Sequence, residues 1–265
     1  MLSYQHLYHA GNLADVQKHV LLAAMLGYLT RKDKPLSYIE THAGRGLYDL
    51  ASDEARRTGE AAGGIEVMAP ALLKELGADH PYLDALGRIR AAHGDNAYPG
   101  SPIIASTLLR PGDRLHLAEL HPQEHASLRR NLHAPNVRVN RQDGFEMAQS
   151  LCPPEPRRGL MLVDPSYEVK QDYERIPRFF ASVAKKWNVG VLALWYPILT
   201  SNLHAPMLRA LAEAFEDGFR HELRFPPIRQ GHRMVGSGMF VVNAPWGLED
   251  EAARLDALFA RLKKA

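Results

Sequence analysis

The chain has 265 residues, 46% hydrophobic and 23% charged, with a formal net charge of only +2, a make-up typical of a single water-soluble α/β domain. No run of about 18 apolar residues is present, so no membrane-spanning helix is expected, and the start Met1-Leu2-Ser3-Tyr4-Gln5-His6 lacks the basic and apolar regions of a secretory signal. The single cysteine, Cys152, cannot form an internal disulfide and reads as a structural or incidental thiol, so a cytoplasmic location is expected.

Helices alternate with short apolar strands, the pattern of a parallel α/β sheet. Residues 14–29 read as a helix whose first turn follows Asn12 or Leu13. Its polar residues Lys18 and His19 lie either toward a bound cofactor or on the polar face of an amphipathic helix. Pro35 ends the connection and residues 36–40 form the first strand, followed by the loop Thr41-His42-Ala43-Gly44-Arg45-Gly46. Residues 53–98 carry short helical pieces broken by Gly and Pro, and read as a small helical insertion within one domain spanning 1–265. Pro99-Gly100-Ser101-Pro102 is a turn that starts a helix over 103–109.

Strands follow at 114–119, 137–139 and 159–163, with helices at 122–132 and 144–151 between them. The helix expected over 171–186 contains Pro177, which can split it. A buried strand over 189–195, a helix over 203–215, strands at 219–225 and 238–242, and an amphipathic helix over 249–263 complete the chain. The last two strands are joined without a helix, which predicts a mixed, mostly parallel seven-stranded sheet with one antiparallel partner at its edge.

The chemistry gathers at the carboxyl ends of the strands, where open α/β sheets bind ligands. Gly44 and Gly46 let the backbone approach a cofactor closely, although Asp49 stands where a dinucleotide fingerprint needs its third glycine. Glu119 ends the second strand and can accept hydrogen bonds from ribose hydroxyls. It lies beyond the usual spacing of about 20 residues, a gap the insertion accounts for. Asp143-Gly144 follows the third strand, where an acid can meet the amino group of an adenine. Each acid alone also fits a cap or turn; three at successive strand ends point to a nucleoside cofactor.

The fourth strand ends in Asp164-Pro165-Ser166-Tyr167. The amino nitrogen of adenine is a poor nucleophile because its lone pair is delocalised into the ring. A carboxylate from Asp164 and the backbone carbonyl of Pro165 can accept its two N–H bonds, pull it toward tetrahedral geometry and stabilise the developing positive charge. The Tyr167 ring can stack on an extruded base. The 13 histidines show no zinc spacing, and His121 and His125, four apart, read as surface residues, so no metal is expected.

Asp164-Pro165-Ser166-Tyr167 resembles the Asp-Pro-Pro-Tyr motif of S-adenosylmethionine-dependent amino methyltransferases. Met1-Leu2-Ser3-Tyr4, His9-Ala10-Gly11-Asn12, Thr41-His42-Ala43-Gly44, Arg57-Thr58-Gly59-Glu60, Pro99-Gly100-Ser101-Pro102, Glu119-Leu120-His121-Pro122 and Leu194-Trp195-Tyr196-Pro197 resemble the RlmJ family of 23S ribosomal RNA adenine-N6 methyltransferases. The resemblance runs over nearly the whole chain, weakest in 61–98 and at the C-terminus. It implies a Rossmann-like class I methyltransferase fold, with Asp164 as catalytic acceptor. It also implies that His19, His42, Ser101, Glu119, Asp143, Gly144 and Asp164 contact S-adenosylmethionine and that Tyr4 touches the substrate RNA. Ser166 departs from the family's second proline; it keeps the Pro165 carbonyl but loosens the turn. DNA adenine methylation, or a ribosomal RNA binding or assembly factor without turnover, are the alternatives. Oligomeric state is taken as monomer.

Overall fold

The structure, a computed structural model, describes residues 5–225 and 233–262. Its centre is a seven-stranded sheet built from β1 (Ser37–Glu40), β4 (Arg114–Ala118), β5 (Val137–Asn140), β6 (Gly159–Val163), β7 (Val191–Leu199), β8 (Phe219–Arg224) and β9 (Met234–Val242). The spatial order is β5-β4-β1-β6-β7-β9-β8. β9 runs antiparallel to both of its neighbours. The expected antiparallel strand is therefore not the edge strand: β9 inserts one place inside and β8 forms the edge. A chain leaving β8 without a crossover helix can return only antiparallel, and the apolar run at 239–242 suits the more buried slot beside β7.

Side chains alternate between two cores. Tyr38, Leu115, Leu117, Leu160 and Leu162 face one, whereas Ile39, Ala118, Met161 and Val163 face the other. The first core is covered by α1 (Leu13–Thr30), α3 (Val67–Leu76), α4 (Pro81–His93), α5 (Ser101–Leu108), α6 (Pro122–Asn131) and α10 (Leu248–Leu262). The second is covered by α7 (Gly144–Leu151), α8 (Asp172–Lys186) and α9 (His204–Ala214). α8 is unbroken across Pro177. The proline removes one backbone donor, but the buried stripe Tyr173, Ile176, Phe179, Phe180 and Val183 holds the helix on the sheet. Burial of roughly 1.5–3 kcal/mol per large apolar side chain outweighs that single loss. No helix among the described residues is long and apolar enough to cross a membrane.

α1 departs most from its sequence pattern. Asn12 caps it by accepting from the Asp15 backbone N–H. Its first two turns are buried all round, although they carry Asp15, Gln17, Lys18 and His19. The polar-face reading of this helix is therefore overturned: it is sandwiched between α4, α5, α10 and β9. Buried polar groups must find partners. Gln17 finds His221 at 3.0 Å and also accepts from Ser237.

Between β1 and β4 the chain makes β2 (Leu47–Asp49), α2 (Asp53–Thr58), a π-turn at Ala62–Glu66, α3, α4 and β3 (Ala97–Pro99). β2 and β3 pair antiparallel and bring the two ends of this excursion together. Neither three-residue strand was visible as an apolar alternation. α5 begins at Ser101, earlier than expected, because Gly100 is already extended at its N-cap. β7 continues through Pro197 to Leu199, four residues past the expected end, paired with β9.

Candidate active site

Parallel register brings the strand ends together. Glu40 aligns with Leu117 of β4 and with Leu162 of β6. Thr41, Glu119 and Asp164 therefore emerge along one edge of the sheet, and Asp143 follows β5 to the N-cap of α7. They line a cavity of about 570 Å³. Lys18, His19, His42, Gly44, Ser101, Glu119, Asp143, Gly144, Asp164, Pro165 and Tyr167, all expected from sequence, border it. Tyr4, expected to touch the substrate RNA, lies outside the described residues.

The floor is the turn after β1. Gly44 has φ +61°, in the region that favours glycine, and donates its N–H to Glu119 Oε2 at 2.8 Å. Glu119 Oε1 accepts from the His121 N–H at 2.7 Å. Burial raises the Glu119 pKa, opposed by these two backbone donors. Each carboxylate oxygen keeps a lone pair for a further donor. Gly144 is required for space: a Cβ there would lie 1.8 Å from the Thr41 carbonyl oxygen. Asp143 accepts from the Glu146 N–H and from Arg175 at 3.1 and 3.2 Å. Burial raises its pKa, but these donors win and hold it below the usual range. His42 bonds Thr41 Oγ1 at 2.8 Å and meets the Phe145 ring edge-on, and burial pushes its pKa down to about 4.

The opposite wall is built on a buried ion pair. Lys18 Nζ donates to Asp164 Oδ2 at 2.7 Å and lies 3.2 Å from Asp15 Oδ1. It stands 5.4 Å from the centre of the Trp195 ring. Burial opposes the charge on Lys18, but the two carboxylates overcome it and raise its pKa above the ordinary lysine value. Two of its contacts are thus carboxylates of this chain, and Lys18 also borders the cavity in which a cofactor contact is expected. Asp164 retains Oδ1 as the acceptor not engaged by Lys18.

Tyr167 has φ +57°, unusual for a residue with a side chain. The turn is held there by its hydroxyl, which donates to the Trp195 carbonyl at 2.6 Å, and by its ring against Tyr173 at 4.9 Å. The ring is only 8% exposed, so what faces the cavity is a small part of it.

Sequence reasoning missed several neighbours. Trp195 lines the cavity at the middle of β7, with its indole N–H buried and without a hydrogen-bond partner among the described residues. Its signal was its place in a strand next to β6. His121, read as a surface residue, borders the cavity instead. Glu60 accepts from Asn12 Nδ2 at 3.0 Å and lies 2.8 Å from His9 Nδ1, fastening the N-terminal segment to the turn after α2. Ile65 N–H donates to the Gly11 carbonyl in the same seam.

Glu40 was also missed. It is fully buried under the floor, where it accepts from the Tyr38 hydroxyl at 2.8 Å and from Ser101 Oγ. Burial raises its pKa to about 8, against the ordinary value of 4.5. An acid with a raised folded pKa holds its proton in the fold while the unfolded chain has lost it. Its contribution to stability is therefore complete below pH 4.5 and is lost as pH rises to about 8, at roughly 1 kcal/mol per pH unit. Glu40→Gln keeps the neutral shape and should remove this dependence. Thermal melts of both proteins at pH 5 and pH 8.5 test it: the variant should gain most on wild type at the higher pH, and an equal difference at both would reject a neutral Glu40.

Sheet order and strand-end chemistry of this kind define the class I methyltransferases, whose cofactor is S-adenosylmethionine. The residues present fit that group: an acid with spare acceptor capacity lies beside a glycine turn, and His19 Nε2 is buried in the wall without a hydrogen-bond partner among the described residues. A family model described as "RsmJ: Ribosomal RNA large subunit methyltransferase D, RlmJ" matches residues 33–264. The protein named ribosomal RNA large subunit methyltransferase J of Escherichia coli (strain K12) is 40% identical over 255 residues, covering 95% of this chain and 90% of that protein. Its namesake from Haemophilus influenzae is 37% identical over 256 residues, with the same coverage. A crystal structure of a protein from Legionella pneumophila (str. Philadelphia 1) matches with a TM-score of 0.82 at 36% identity, covering 96% of this chain and 93% of that one. The chain belongs to the RlmJ family of ribosomal RNA large subunit methyltransferases.

Proposed function

We propose that this enzyme methylates N6 of a specific adenine in 23S ribosomal RNA. The observation that carries the reading is the meeting of Asp164 and Pro165 with Tyr167 and Trp195 beside the Gly44–Glu119 floor, in one cavity. Acceptors for an amino group and aromatic surface for a base lie next to a pocket suited to a nucleoside. The names of the Escherichia coli and Haemophilus influenzae relatives support ribosomal RNA as substrate.

In this reading Glu119 accepts from the ribose hydroxyls and Asp143 from the adenine amino group of the cofactor. Gly44 and Gly144 allow close backbone approach, and His19, His42 and Ser101 complete the contacts. S-adenosylmethionine supplies an electrophilic methyl group when bound. Asp164 Oδ1 and the Pro165 carbonyl accept the two N–H bonds of the target amine and free its lone pair. Lys18 holds the other Asp164 oxygen and so fixes the carboxylate plane. Positioning of the amine dominates the barrier reduction. Tyr167 supplies an aromatic edge at the base, and Tyr4 contacts the RNA. We read residues 1–265 as one methyltransferase domain with an insertion at 53–98, monomeric and cytoplasmic, acting without a metal.

The test is transfer of labelled methyl from S-adenosylmethionine to protein-free 23S RNA, followed by nucleoside analysis. N6-methyladenosine at one position is the expected product. Methylation of duplex DNA alone would replace the RNA reading with a DNA one. Cofactor binding without any product would favour a ribosomal RNA binding factor.

A further inference from the structure

A file of buried hydroxyls runs from α4 to the cavity. Tyr82 of α4 is fully buried, and among the described residues its Oη has one hydrogen-bond neighbour, Tyr98 Oη at 3.3 Å. Tyr98, also fully buried on β3, lies 3.0 Å from Nδ1 of His19. His19 is 1% exposed, borders the cavity, and among the described residues has no hydrogen-bond partner at Nε2. Asp15 Oδ1 stands 3.9 Å from that nitrogen, too far for a hydrogen bond but close enough to set its polarity.

Only one orientation of the protons satisfies this file. A tyrosine hydroxyl has one proton to donate. If Tyr98 donated back to Tyr82, the Tyr82 proton would be buried without an acceptor. His19 Nδ1 would then need to carry the imidazole proton, leaving a bare Nε2 lone pair turned toward the Asp15 carboxylate. In the other orientation Tyr82 donates to Tyr98, Tyr98 donates to His19 Nδ1, and the imidazole proton sits on Nε2. Both hydroxyl donors are then used, and the one donor left over, Nε2–H, points its dipole favourably toward the Asp15 carboxylate at the cavity wall.

We propose that Tyr98, backed by Tyr82, is a positioning residue that fixes His19 as the Nε2–H tautomer, making it a neutral hydrogen-bond donor to the cofactor. Burial keeps the ring neutral, with its pKa lowered to about 3 despite Asp15, so the tautomer rather than the charge decides what the ring offers. The acceptor this donor suits is an oxygen of the amino-acid end of the cofactor, because Lys18 in the same wall is already paired with Asp164 and Asp15. The file also gives the excursion between β2 and β3 a role in the site: α4 and β3 supply the groups that set the polarity of a residue on α1. The proposal rests on the reading of this cavity as the cofactor pocket.

Nitrogen NMR of ¹⁵N-histidine-labelled enzyme reads the tautomer directly, with His19→Gln used to assign the signal. Protonation at Nε2 with an acceptor-type Nδ1 is expected; a proton on Nδ1 would overturn the proposal. Calorimetric titration with S-adenosylmethionine reads the consequence. Tyr98→Phe keeps the ring and its packing, and should weaken cofactor binding about tenfold, the loss of one well-made hydrogen bond. Its kcat at saturating cofactor should stay within about twofold. Tyr82→Phe should give a smaller loss in the same direction.

A Gln amide nitrogen reaches the place of Nε2, whereas an Asn amide reaches that of Nδ1. His19→Gln should therefore retain most of the affinity and His19→Asn should not, and Tyr98→Phe should add no further loss in the His19→Gln background. An unchanged Kd for Tyr98→Phe, with wild type binding normally, would reject the relay alone. Failure of wild type to bind S-adenosylmethionine would instead reject the reading of the cavity. A melting temperature for each variant separates loss of fold from loss of function.

Discussion

Asp164→Asn should lower kcat for methyl transfer by at least about 10²- to 10³-fold, the scale seen when one group that stabilises developing charge is removed. The geometry makes the reason specific. Asp164 Oδ2 accepts from Lys18 at 2.7 Å, and Oδ1 is left for the target amine. An asparagine has the same volume but only one acceptor. With its oxygen toward Lys18, its NH₂ meets the amine donor to donor; flipped, the NH₂ meets the ammonium. Neither orientation can hold the amine, and the negative charge opposite the developing cation is lost. Asp164→Ala removes the acceptor altogether and should abolish turnover. Single-turnover methylation at saturating RNA, with circular dichroism as the check on folding, measures both. Wild-type rates in either variant would remove Asp164 from the mechanism.

Lys18→Met should cost about 3–5 kcal/mol of stability as well as activity, because it strands buried charge. Lys18 lies between two carboxylates and is itself 5% exposed. Asp15 keeps other donors, His6 at 2.8 Å and the Gly11 N–H at 2.9 Å. Asp164 loses the charged partner that the structure provides for it. For a chain of this size the loss corresponds to a fall in Tm on the order of 10 °C. Adding Asp164→Asn to Lys18→Met should recover part of that fall, since it removes the charge left unpaired. A Tm within about 2 °C of wild type for Lys18→Met would mean that solvent already satisfies both carboxylates. The two substitutions are thus expected to differ in kind. The first acts on the reaction, whereas the second acts on the fold and on the orientation of Asp164.

The amino-acid sequence by itself determined the main frame of this protein. Apolar runs of four or five residues such as Gly159–Val163 have few alternatives to a buried strand. The acids and glycines that follow them must then lie at the carboxyl edge of a parallel sheet. That local logic places Gly44, Glu119, Asp143 and Asp164 around one cavity, and the structure brings them together. Tertiary structure alone decided which groups act on one another. Lys18 meets Asp164 across 146 residues of sequence, and His19 meets Tyr98 across 79. No periodicity encodes such a pair, because helical and strand patterns report only which face is buried and not what lies opposite. The same limit explains α1: its polar residues look like a solvent face until the helix is seen enclosed on all sides, where each must be paired. It also explains β9, whose slot inside β8 depends on which edge of β7 is open, and the β2–β3 pair, whose three-residue strands are too short to carry a pattern.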